Sequence, residues 1–171
     1  MGTIPVGVIE DHPLYRAALA QVLGGQLDLE LDGVAESVAQ FRVRRSRPGG
    51  VVVLDLQLRG VSGAAAVRAV TGMGHRVLVV SAHAGRGDVF GAIAAGACGY
   101  LCKDADGAEI LHAVRQVAAG KGYASLALAR LLPSHPDGVE DGRKAQSSVD
   151  WVRGRTVRRR LPGLTRFVSS A

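Results

Sequence analysis

Five times along this chain an apolar run of strand length is followed by a stretch with helical spacing, and that alternation limits the fold more than any other feature. Strand candidates fall at 4 to 10, 29 to 35, 51 to 56, 76 to 82 and 97 to 102. Helix candidates fall between and after them, at 13 to 24, 36 to 46, 63 to 73, 86 to 95 and 106 to 119. The strand runs are rich in Val, Ile and Leu without polar alternation, as in a parallel sheet covered by helices on both faces. With right-handed crossovers, this pattern predicts an α/β, flavodoxin-like doubly wound sheet of order 2-1-3-4-5.

Local signals agree with several of these boundaries. Pro13 suits a first helical turn, where its missing N–H costs nothing, and Gly24-Gly25 can end that helix. Pro48-Gly49-Gly50 separates the second helix from the third strand. Asp106 with Glu109 three residues on resembles a capping box for the last helix, which Gly120-Lys121-Gly122 closes. Helices 63 to 73 and 86 to 95 are rich in Ala and Gly and offer small contact faces.

Beyond Leu132 the pattern stops. Residues 1 to 122 are expected to form the folded domain, 123 to 137 a linker, and 138 to 171 a basic tail without stable structure, because high charge with few apolar residues cannot offset the entropy of ordering. The net charge of +6 is concentrated there: residues 138 to 171 carry 8 Lys/Arg against 3 Asp/Glu, while residues 1 to 137 carry 13 against 12. Such a tail could meet an acidic or nucleic-acid partner, with Arg155, Arg158, Arg159 and Arg160 as its candidate contacts. Its abrupt change of composition also fits a truncated or frame-shifted end. Arg42, Arg44, Arg45 and Arg47 lack interleaved aromatics and are read as a solvated helix face. No continuous apolar stretch of about 20 residues is present, so no membrane span is expected. No charged region followed by a long apolar segment opens the chain, which points to a cytoplasmic location. Cys98 and Cys102, four apart in one strand-like run, should point to one face as reduced, buried thiols.

The chemistry lies at the strand ends. Glu10 and Asp11 follow the first run, Asp55 the third, Ser81 the fourth and Lys103 the fifth. In an open parallel sheet such groups meet in the crevice beyond the carboxyl ends of the strands. Three carboxylates together suit Mg²⁺, which takes oxygen ligands and keeps several waters. An open metal position beside Lys103 suits phosphoryl oxygens, and a carboxylate can itself be the nucleophile. Asp55, alone at the end of a central strand, is the candidate. Taken singly, each residue has a plainer reading: Asp55 as a cap or turn, Ser81 as a turn former, Lys103 as a solvated strand end. His12 is read as the residue that starts the first helix at the pocket's edge, and His75, His83, His112 and His135 show no ligand spacing.

The segments Val8-Ile9-Glu10-Asp11-His12-Pro13-Leu14-Tyr15-Arg16, Val52-Val53-Leu54-Asp55-Leu56-Gln57-Leu58, Val77-Leu78-Val79-Val80-Ser81-Ala82 and Gly96-Ala97-Cys98-Gly99-Tyr100-Leu101-Cys102-Lys103-Asp104 carry a family likeness. From about residue 4 to 120 the chain resembles a response-regulator receiver domain of the NarL/LuxR (FixJ) class. That resemblance implies a phosphoryl group passed to Asp55 from a sensor histidine kinase, and Mg²⁺ held by Glu10, Asp11, Asp55 and the backbone carbonyl of Gln57. It implies that Lys103 and Ser81 bind the phosphoryl oxygens and that Tyr100 is an aromatic switch, turning inward as Ser81 moves to the phosphate so that the surface of 84 to 106 changes shape. A half-buried strand aromatic is an equal reading of Tyr100. It implies a phosphoacceptor rather than an enzyme, with homodimerisation or DNA binding as output.

The chain departs from the family pattern in three places. Arg59 stands where the loop after the phosphoacceptor usually has proline, and Gly85-Arg86-Gly87 opens the fourth helix with poor helix formers. A four-helix DNA-binding domain would need some 60 residues by that resemblance, whereas 34 follow Asp137, without a full helix-turn-helix. Two other functions remain open: a phosphatase with an aspartyl-phosphate intermediate, for which Gln57 replaces the usual second acid, and a nucleic-acid-binding protein acting through the tail.

Overall fold

The computed structural model describes residues 2–44, 47–82 and 85–125. Its elements run β1 (Ile4–Ile9), α1 (Pro13–Gly24), β2 (Leu29–Ala35), α2 (Val38–Val43), β3 (Val51–Leu54), α3 (Gly63–Thr71), β4 (Arg76–Ser81), α4 (Arg86–Ala94), β5 (Gly99–Cys102), α5 (Gly107–Ala118) and β6 (Tyr123–Ala124). The strands form one parallel sheet of order β2-β1-β3-β4-β5-β6. The doubly wound order read from the sequence is borne out, with one addition. β6, absent from the sequence reading, extends the sheet past residue 122 by laying Tyr123 beside Gly99 and Ala124 beside Tyr100.

Each face of the sheet buries its own core. On one side Val6, Val8, Val53, Leu78 and Leu101 pack with Leu19 and Leu23 of α1 and Ile110, Val114 and Val117 of α5. On the other, Ile9, Val52, Leu54, Val77, Val79 and Tyr100 meet Phe41 of α2, Val67 and Val70 of α3, and Val89 and Ala92 of α4. β3 is buried along its whole length, as a central strand between two helical layers must be. Gly7 is needed where it stands, because an added Cβ would come within 2.7 Å of the Phe41 ring.

The helix starts follow their caps. Pro13 opens α1 behind His12, whose side chain accepts the Tyr15 N–H. Asp106 accepts the Glu109 N–H at 2.7 Å to start α5, one half of the expected box; Glu109 itself accepts the Tyr123 hydroxyl. α2 is shorter than 36 to 46 because Ser37, in an extended conformation, caps it through the Gln40 N–H. The spacing Ser37-Val38-Ala39-Gln40 carried that signal.

The two cysteines do not share a face. Cys98 precedes β5 and packs on the α1/α5 side, while Cys102 packs on the side of α2, α3 and α4. The strand alternation that would align them does not extend back to residue 98, and both thiols are only partly buried.

Candidate functional site

Parallel strands end at one edge, and the residues just past β1, β3, β4 and β5 meet there. The Asp55 N–H donates to the Ile9 carbonyl and the Lys103 N–H to that of Ser81, which fixes neighbouring strand ends side by side. Glu10, Asp55 and Ser81 are buried, and Asp11 is partly exposed at the rim. Carboxylate oxygens of Glu10, Asp11 and Asp55 come within 4.8 Å of one another. An open cleft of about 550 Å³ lies over them, bounded by His12, Tyr15, Gln57 and Lys103.

Lys103 ties the acids together. Its Nζ lies 2.8 Å from Glu10 Oε2 and 3.0 Å from Asp55 Oδ2. Burial alone would pull its pKa down, but the hydrogen bonds to the two carboxylates outweigh that and raise it, so the ammonium stays charged. The Tyr15 ring covers it, with Nζ 4.9 Å from the ring centroid, a cation–π contact. Burial pushes the Tyr15 phenol up despite the nearby ammonium.

Backbone donors complete the cradle. The other Glu10 oxygen accepts the His12 N–H at 3.0 Å, and Asp55 Oδ1 accepts the Gln57 N–H at 3.2 Å. Arg16 donates through Nη1 to the Glu10 and Asp11 carbonyls at 2.8 and 3.2 Å, fastening the loop that carries both acids. Sequence reasoning missed Arg16; its place one turn inside a helix that starts at the acid pair was the available signal. It also missed the partner of Asp11: Asp11 Oδ2 accepts the Arg59 N–H at 3.3 Å and lies 3.4 Å from Arg59 Nε.

Tyr100 is 1% exposed, so it is an inward residue and not a half-buried strand aromatic. Burial drives its hydroxyl pKa up to about 12, opposed by a hydrogen bond with Ser81. Ser81 thus stands buried at the carboxyl end of β4, with its hydroxyl on Tyr100. Arg155, Arg158, Arg159 and Arg160 lie outside the described residues, as do His83 and His135.

The donor set fits a small divalent cation: three carboxylates at mutual ligand distance, a neighbouring carbonyl-bearing loop at Gln57, and an open side toward solvent. No helix among the described residues is long and apolar enough to cross a membrane.

Residues 6–115 match the family model of the response regulator receiver domain. The chain is 37% identical over 144 residues to the transcriptional activator protein ExaE of Pseudomonas putida, covering 81% of this chain and 66% of that protein. It is 34% identical over 122 residues to the DNA-binding transcriptional activator DevR/DosR of Mycobacterium tuberculosis, covering 69% of this chain and 56% of the relative. It thus spans less than two thirds of the length of either. Among solved structures, the signal receiver domain of NarL from Mycobacterium tuberculosis superposes with a TM-score of 0.63 at 31% identity, over 70% of this chain and 99% of that one. Receivers of this family are phosphorylated by histidine kinases; in this chain the buried acids, the lysine and the serine stand together at the carboxyl ends of the strands, where open parallel sheets gather their ligands. The chain belongs to the response regulator receiver domains, with relatives of the NarL/LuxR type.

Proposed function

We propose that Asp55 accepts a phosphoryl group from a sensor histidine kinase in a Mg²⁺-dependent transfer, and that Ser81 and Tyr100 carry the result to the surface around α4. A bond forms between a carboxylate oxygen of Asp55 and phosphorus as the donor's phosphorus–nitrogen bond breaks. Glu10, Asp11, Asp55 and the Gln57 carbonyl would hold the Mg²⁺, which supplies charge neutralisation for the acids and the incoming phosphoryl oxygens. Lys103, already beside Asp55, shifts onto a phosphoryl oxygen, and Ser81 donates its hydroxyl to another. The observation that supports this most is the Lys103 ammonium bridging Glu10 and Asp55 at 2.8 and 3.0 Å, with Asp11 within reach of both acids. Such a placement holds a cation where an acyl phosphate would need one.

When Ser81 turns toward the phosphate it must give up its bond to Tyr100, and that exchange couples the cleft to the packing under α4. Residues 1–122 serve as the receiver, 123–137 as a connector whose first residues form β6, and 138–171 as a basic tail. By the names of its relatives, the output is transcriptional and reaches DNA; a homodimer is the form in which we expect the phosphorylated protein to act. The protein's own turnover is confined to phosphotransfer onto itself and loss of that group. A phosphatase acting on other substrates is disfavoured by Gln57, an amide where a second acid would act as general acid.

The experiment is labelling by a small phosphodonor with and without Mg²⁺. Wild type should label only with the metal, and Asp55→Asn should fall to background. Full labelling of Asp55→Asn would refute the assignment.

A further inference from the structure

In the resting site each of the three acids faces a cation of this chain. Lys103 serves Glu10 and Asp55, and Arg59 serves Asp11. The two arrangements differ in kind. Lys103 and its acids are largely enclosed, with side chains 21%, 1% and 3% exposed, so that pair is difficult to open. The Arg59 side chain is 85% exposed and its Nε stands 3.4 Å from Asp11 Oδ2, so it can leave into water at small cost. Its backbone N–H holds the same oxygen and stays behind when the guanidinium goes.

We propose that Arg59 is an exchangeable counter-ion of the metal cradle: its guanidinium balances Asp11 in the metal-free protein and is displaced when Mg²⁺ binds, which weakens the site's affinity for the metal. The inference rests on the reading of Glu10, Asp11 and Asp55 as the Mg²⁺ cradle. With both cations in place the cluster keeps one net negative charge; without Arg59 it has two, and a dication is drawn more strongly. Arg59 is therefore a positioning residue, acting through Asp11 and setting the Mg²⁺ concentration at which the receiver becomes competent. The Arg59 backbone N–H remains on Asp11 Oδ2, so the displaced guanidinium stays close enough to return when the metal leaves.

Calorimetric titration of the whole chain with Mg²⁺ alone, without phosphodonor, tests this. Arg59→Ala should bind Mg²⁺ about 2- to 5-fold more tightly than wild type at low ionic strength, and Arg59→Lys should stay within about 1.5-fold of wild type. The gain should shrink at about 0.15 M salt, where the exposed charge is screened. Equal affinity of Arg59→Ala and wild type at low salt would overturn the proposal while leaving the cradle intact. Asp11→Asn separates the two: if its Mg²⁺ affinity equals that of wild type, the cradle reading itself fails and the inference falls with it.

Discussion

The two edges of this sheet are made by the same strands and hold opposite chemistry. At the carboxyl edge, Glu10, Asp55 and Ser81 are buried around a partly covered lysine. At the amino edge the charges sit in water. Arg115 pairs with Asp28 at 2.8 Å, and Arg47 pairs with Glu30 and Asp32, between side chains that are about half exposed apart from the more covered Asp32. The Arg115 hydrogen bond holds the Asp28 carboxyl below its usual range, yet pairs of this kind contribute little to stability. Burying two acids beside a partly covered lysine costs desolvation energy that a purely structural sheet edge avoids. One edge therefore carries the cost of chemistry, and the apolar layers between the edges hold the fold.

The largest effect should come from those layers. Leu78 in β4 is fully buried, and Leu78→Ala should cost about 2–5 kcal/mol in urea unfolding. Its labelling by a phosphodonor should stay near wild type at temperatures where the variant is folded. Loss of labelling in a folded Leu78→Ala protein would break the division between edge and core.

Lys103→Met leaves Glu10 and Asp55 buried without their cation, and should cost about 1–3 kcal/mol while slowing labelling. Adding Asp55→Asn should return part of that stability, since one uncompensated charge is removed. Additive losses in the double variant would show that the two groups do not interact in the folded protein.

The smallest effect concerns the one buried polar side chain toward the amino edge among the described residues. His75 is 6% exposed, its Nδ1 has no hydrogen-bond partner among the described residues, and its ring meets Phe41 edge-on at 5.6 Å. Burial lowers its pKa from 6.5, against a weaker opposite pull from Asp32. The folded state then takes up this proton less readily than the unfolded chain, which does so below about pH 6.5, so this contribution to stability is present above that pH and lost as pH falls. His75→Leu should flatten the slope of stability between about pH 7 and 5 by a fraction of the about 1.4 kcal/mol per pH unit that one full proton contributes. An unchanged slope would mean that His75 titrates normally in the fold.

Much of the carboxyl edge was legible in the sequence because a polar residue after a continuous Val/Leu run has nowhere to go but the end of a strand. Asp55 after Val51–Leu54 and Ser81 after Val77–Val80 are of this kind. The burial of Tyr100 was not legible, since a strand aromatic can face the helices or the solvent and only the packing of α4 decides. β6 was hidden because two residues make a strand only if an edge receives them: Gly99 has no side chain to hold Tyr123 away, and a Cβ there would come within 3.0 Å of the Tyr123 carbonyl. The Arg59–Asp11 pair spans 48 residues between two loops, a distance no local pattern crosses. The Ser37 cap, in contrast, was readable from its spacing to Gln40.

The central claim is that Asp55 is the residue that takes the phosphoryl group, and borohydride trapping tests it most directly. After Mg²⁺-dependent labelling with a small phosphodonor, reduction of an aspartyl phosphate yields homoserine, which peptide mass spectrometry can place in the chain. Homoserine is expected at position 55 and nowhere else. Homoserine at position 11, or a label that resists borohydride, would contradict it.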